Sequence, residues 1–220
     1  MKVFTQHINE WKINDQSSKN VELDQKYFIY YVKQYGNIKL FDQNWNQLND
    51  YYDKVFDEND NQVKLNPLGW TNKEYDTGPH KFYIKDIDDI RECRYMFYYC
   101  EELESIPFFN ISKVDSLYRM CQGCSTLKHI PLFNTKNIKS IECAFSKCEK
   151  LESVPKFDLS KCENMRWAFD TCFSLKEIPL FKLNKDVDMR EAFNNCPRLT
   201  IKTIIDWSQT YDFKNHYRQK

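Results

Sequence analysis

Five cysteines, Cys100, Cys124, Cys148, Cys172 and Cys196, stand 24 residues apart without a slip, and so strict a period admits few folds. The frame around them repeats as well. Leu103, Leu127, Leu151, Leu175 and Leu199 follow three residues later. Ile106, Ile130, Val154 and Ile178 come next, each before a proline (Pro107, Pro131, Pro155, Pro179), and Phe109, Phe133, Phe157 and Phe181 close the frame. Three residues before each cysteine is an aromatic slot holding Phe97, Phe145, Phe169 and Phe193, with Cys121 as the one replacement.

The spacing within a unit predicts its local structure. Val114, Leu117, Met120, Cys121 and Cys124 recur at three- and four-residue steps, which predicts one face of a short helix or helical turn. Leu127 to Ile130 is read as a very short strand, ended by a proline that lacks a backbone donor. Alone, such a unit has nothing to cover its apolar face, so the units are expected to share one core, with strands in a parallel ladder. Glu104, Lys128, Glu152 and Lys176 alternate in sign in one slot, as vertical neighbours in such a ladder would. Four full units run from Met96 to Glu191, with a partial unit before and a fifth from Ala192. In the fourth, Asp186 takes an apolar slot and Val187 comes one residue late, which predicts a distorted turn. Ile201, Ile204, Ile205 and Trp207 leave the frame and are read as a cap on the last core layer.

The first part of the chain lacks the period and favours strands. Lys26–Val32 and Ile38–Phe41, around a turn at Gln34–Asn37, are expected to form a hairpin. His80–Lys85 is a further alternating segment, and Trp45–Phe56 also fits a helix. The organisation expected is a small β-rich N-terminal capping or docking domain (1–85), a solenoid of 24-residue repeats (86–200) and a C-terminal cap (201–220).

The segment Met96-Phe97-Tyr98-Tyr99-Cys100-Glu101-Glu102-Leu103-Glu104-Ser105-Ile106-Pro107-Phe108-Phe109 resembles the BspA-like leucine-rich repeats. The resemblance implies an α+β fold, a short leucine-rich-repeat-type solenoid of parallel strands plus short helices, preceded by the small β-rich domain. Known members of that family are bacterial surface adhesins, protozoan surface proteins, and structural or tail-associated phage proteins. The Ile-Pro variant without a leader is most similar to the phage group. The family shares no catalytic residues, so the resemblance assigns none.

Functional classes narrow further by elimination. The 32 basic and 32 acidic residues balance, which removes the electrostatic footprint of a nucleic-acid binder. No stretch is long and apolar enough to span a membrane, and the start, Met1 to His7, lacks the apolar region of a cleaved signal. Cys121-x-x-Cys124, with Cys143 and Cys148, imitates zinc spacing, but the frame explains it more simply: Cys124 and Cys148 are in the recurring slot and Cys121 in the phenylalanine slot. Cys93 and Cys162 likewise fill apolar slots, whereas Cys143 is in a variable slot and is expected at the surface. No catalytic constellation, cofactor site or metal site is assigned.

The candidate interaction surface is Tyr98, Tyr99, Phe108, Tyr118, His129 and Trp167, which fill slots that other units give to polar or variable residues. The competing reading packs Tyr98, Tyr99 and Phe108 under the N-terminal domain. The function expected is that of a non-catalytic structural or interaction protein, a bacteriophage virion component in tail or capsid appendage. Its partners would be other virion subunits, or a host-surface protein or glycan. A bacterial surface adhesin and an intracellular scaffold are the alternatives.

Overall fold

A computed structural model describes residues 27–85, 87 and 90–210. The reading of Met1–His7 and the last ten residues of the expected cap lie outside that range, as do the side chains of Ile204 and Ile205. Strands β1 (Phe28–Val32), β2 (Gly36–Lys39), β3 (Val55–Asp57), β4 (Trp70–Tyr75) and β5 (Gly78–Ile84) precede the repeats. Within the repeats are β6 (Leu103–Ser105), β7 (Asp158–Leu159) and β8 (Lys182–Leu183), and helix α1 (Ile201–Thr210) follows them.

β1 alternates as a half-buried strand should, with Phe28, Tyr30 and Val32 inside and Tyr31 out. It is antiparallel both to β5 and to β6, within a four-stranded sheet ordered β3-β5-β1-β6. The expected hairpin of β1 with the Ile38 segment therefore does not form. Both edges of β1 are already taken, so β2 pairs with β4 in a separate antiparallel sheet. The segment after Trp45 is no long helix either; it turns through a single 3-10 turn at Leu48–Asp50 and enters β3. Anchoring to the first repeat explains this. Trp45 Nε1 donates to the Glu92 carbonyl at 2.7 Å, and Gln47 Oε1 accepts the backbone N–H groups of Arg91 and Glu92. The sheet thus crosses position 85, since β6 belongs to the first unit.

The repeats correct the expected fold class. An α+β, leucine-rich-repeat-type solenoid of parallel strands and short helices is not what forms. The larger sheets are antiparallel, and the one parallel strand pair among the described residues is β7 with β8, two residues each. The predicted helices are absent too: α1 is the sole α-helix among the described residues. Residues 94–99, 118–123, 142–147, 166–171 and 190–195 are turns.

The backbone gives the physical reason. Left-handed residues recur in two slots: Tyr95, Arg119, Cys143, Trp167 and Glu191 in one; Tyr99, Gly123, Lys147, Thr171 and Asn195 in the other. A positive φ every fourth residue breaks a right-handed helix. Turns closed three residues back replace it, as in Met120 N–H to the Leu117 carbonyl and Cys124 N–H to that of Cys121. Two such turns return inward positions at three- and four-residue steps, so the helical spacing is met without a helix. The intervening N–H groups bond forward instead: Arg119 to Glu142, Cys121 to Ala144 and Gly123 to Ser146, each 23 residues ahead. The proline after each Ile or Val limits strand pairing, which beside it shrinks to isolated parallel bridges such as Ser105 with His129 and Ser153 with Glu177.

The 24-residue frame still sets what is buried. Phe145, Phe169 and Phe193 stack with centroids 5.6 Å apart at each step. Glu104 pairs with Lys128 at 2.9 Å and Glu152 with Lys176 at 2.8 Å. Asp186 is exposed, and the turn that Ile138 and Cys162 close three residues back is closed there by Val187, one residue late.

At the N-terminal end, the carbonyls of Met96 and Tyr98 have no preceding unit to serve them. Asp42 N–H donates to the first at 3.0 Å and Lys39 Nζ to the second at 2.7 Å. At the other end, Trp207 of α1 is buried against Phe181 and Phe193, with Nε1 bonded to the Ile178 carbonyl at 3.1 Å.

Candidate interaction surface

The paired turns leave a row of half-buried side chains at the surface. In the first two units that row is aromatic. Tyr98 meets Tyr99 edge-on at 4.7 Å, Tyr95 meets Tyr98 at 5.4 Å, and Tyr118 meets Tyr95 at 5.4 Å, all T-shaped. Burial, together with a hydrogen bond to Tyr95, raises the Tyr118 phenol above its ordinary pKa.

Cations lie on the rings. The Arg119 guanidinium is 5.1 Å from the Tyr118 ring centre and 6.0 Å from that of Tyr98. Lys147 Nζ is 5.8 Å from the Tyr99 ring centre and 3.2 Å from its hydroxyl, a bond that raises the lysine pKa. Gly123 makes room for the Tyr99 ring: a Cβ there would come within 2.7 Å of it. Two units beyond Arg119 in the same slot, Trp167 carries Arg166 at 4.3 Å.

Of the residues singled out from sequence, Tyr98, Tyr99 and Tyr118 come together, whereas Trp167 stands two units beyond Arg119 with Arg166 on its ring. Phe108 and His129 lie apart. Phe108 is 44% exposed with its ring 6.2 Å from Phe133, and His129 is exposed on a bridge to Ser105. The N-terminal region covers the Tyr98 carbonyl, whereas the rings packed beneath that region are Phe97 and Phe109, against Phe28 at 5.4 and 6.3 Å. Tyr95, Arg119 and Lys147 were missed. Their spacing from Trp167 and Tyr99, a whole number of 24-residue periods, was the signal that could have found them.

Cys143 corrects the expectation of a surface thiol: it is 7% exposed. Burial raises its pKa, with Arg119 opposing. All nine cysteines are buried and outside any disulfide, and among the described residues no group of three or more His, Cys, Asp or Glu is placed to hold a metal ion.

Fold and surface together define a protein of antiparallel sheet joined to 24-residue turn units, with an aromatic and cationic face on the first of them. The chain belongs to the family described as Mycoplasma protein of unknown function, DUF285, which matches residues 86–207, more than half of its length. That assignment replaces the BspA-like leucine-rich-repeat resemblance. The quoted Cys, Leu, Ile-Pro and Phe slots record which positions a 24-residue unit buries, and burial alone does not distinguish one such family from another. No curated protein and no solved structure matches the chain.

Proposed function

We propose that this chain is a non-catalytic structural or interaction protein that meets its partners through the tyrosine face of its first two turn units. The observation that carries the reading is the connected set of Tyr95, Tyr98, Tyr99 and Tyr118 with Arg119 and Lys147 against it. Tyr and Arg are enriched among the residues that dominate binding energy at protein interfaces: Tyr buries large area at low entropic cost, and Arg brings a planar, multi-donor head. Here the rings are braced by one another before any partner arrives, which lowers the ordering cost of association.

No described helix is long and apolar enough to cross a membrane. The virion reading drew on the BspA-like resemblance and loses that support with it. A virion, a bacterial surface and an intracellular scaffold are therefore separated by experiment. Mass spectrometry of purified particles and of cell fractions locates the chain. Stable, stoichiometric recovery with other proteins is the expected result, lost when Tyr98 and Tyr118 are both changed to Ser. Recovery of the chain only as a free monomer, in every fraction, overturns the proposal.

A further inference from the structure

Arg119 differs from the arginines in neighbouring slots. Arg94 pairs with Glu92 at 2.5 Å, Arg190 with Asp188 at 2.6 Å, and Arg166 lies 3.9 Å from Asp188. Those acids stand at one position of the frame, where the second unit has Ser116. Among the described residues the Arg119 side chain has no ion pair and no hydrogen bond; its Nε, like that of Arg166, is buried without a hydrogen-bond partner, but Arg166 has the Asp188 carboxylate 3.9 Å away and Arg119 has none. Its neighbours include the phenols of Tyr118, Tyr95 and Tyr98 and the thiol of Cys143, none of them a carboxylate. The neighbouring Gln122 Oε1 is also buried and unsatisfied.

A guanidinium held between phenol rings is partly desolvated while its charge is uncompensated. Rings attract the cation through their faces but accept no strong hydrogen bond, so the fork of Nη N–H groups, which unlike Nε is not buried, remains available. The chemistry that satisfies such a fork is a carboxylate, which receives two parallel N–H bonds. Lys147, held beside Tyr99, adds a second positive charge on the same face.

We propose that Arg119, framed by Tyr98 and Tyr118 with Lys147 nearby, is the receptor for a carboxylate side chain of an acidic peptide segment in a protein partner. This rests on the interaction reading above and names the partner's chemistry. A peptide fits better than a sugar acid because the rings are tied edge-to-face to one another, a Tyr and Arg cluster of the kind that anchors protein interfaces. The unpaired charge then selects an acidic sequence within it.

The test uses the full chain and three probes: a fluorescein-labelled glutamate-rich peptide, a serine-rich peptide of equal length, and polygalacturonate. Binding is read by anisotropy, and the Arg119 Nε–H resonance by nitrogen-edited NMR, assigned by its loss in Arg119→Lys. The expected result is that the glutamate peptide alone binds and shifts that resonance. Arg119→Gln should weaken it about tenfold, Arg119→Lys by less, and Arg190→Gln not at all. A thermal melt like that of the unaltered chain shows that each variant folds, and the resonance shift in the unaltered chain stands without them. Equal affinity of Arg119→Gln and the unaltered chain overturns the proposal. So does binding of polygalacturonate in place of the peptide, or binding of neither. If the probes fail while the Tyr98 and Tyr118 double variant still loses its partners, the interaction reading stands and only the carboxylate receptor falls.

Discussion

The Cys148 thiol donates to the Cys121 carbonyl at 3.2 Å, and Cys124, Cys172 and Cys196 repeat that bond to Phe97, Phe145 and Phe169. Each cysteine thus joins its unit to the one before, which is more than the small apolar filler its burial suggests. Burial pushes the thiol pKa values up, to about 11 at Cys162 and about 12 at Cys196. An unfolded thiol ionises near about 8.5. Between that value and the folded ones the unfolded chain has lost protons that the folded chain keeps, so stability falls as pH rises. Thermal melts should show the thiols' contribution fully present below about pH 8.5 and a loss approaching about 1.4 kcal/mol per pH unit for each such thiol above it. A melting temperature unchanged to pH 11 would contradict this. Gly123 supplies a second residue-scale prediction. Its φ is +79°, and a Cβ would meet the Tyr99 ring. Gly123→Ala should cost about 1–2 kcal/mol and alter the near-UV tyrosine dichroism, whereas an unaltered spectrum would show that the ring is not seated there.

At the scale of the element, the turn pair is held by residues in an uncommon conformation. Thr171 has φ +61°, unfavourable for a β-branched side chain, whereas Asn195 takes φ +52° in the same slot one unit later. Thr171→Asn should therefore stabilise the protein by about 0.5–1 kcal/mol in denaturant unfolding, and a loss of stability would refute the assigned backbone. This element also shows what could be read from sequence. Period, buried slots and the Glu104–Lys128 and Glu152–Lys176 pairs were legible, because burial and charge repeat with the chain. The backbone hand was not. Gly123 and Asn195 are the residues in the two left-handed slots that advertise a positive φ; Tyr, Arg, Trp, Lys, Thr, Cys and Glu fill the others. Inward spacing at three and four residues fits a helix and a pair of turns equally well.

Over the whole molecule, the two ends of the repeats are closed by different devices. Lys39 and Asp42 supply donors to the first unit, and Trp207 covers Phe181 and Phe193 at the last. Trp207→Ala should lower stability by about 3–5 kcal/mol, with hydrogen exchange rising first in residues 190–199; uniform exchange across all units would argue against a local role. The N-terminal pairings were illegible for a related reason. β1 lies between β5 and β6, one of them in the first repeat, and such long-range partners leave no local trace. The candidate surface was half legible: Tyr98, Tyr99, Tyr118 and Trp167 stood out as aromatics in variable slots, whereas Arg119 and Lys147 looked like ordinary solvated charges.

The most direct test of the central claim places a photoreactive phenylalanine at Tyr98 of the full chain, and separately at exposed Lys136, in the cells or particles where the chain is found. If the tyrosine face is the contact surface, illumination yields a discrete covalent adduct from position 98 and none from 136. Adducts from 136 alone, or from neither position, would contradict the account.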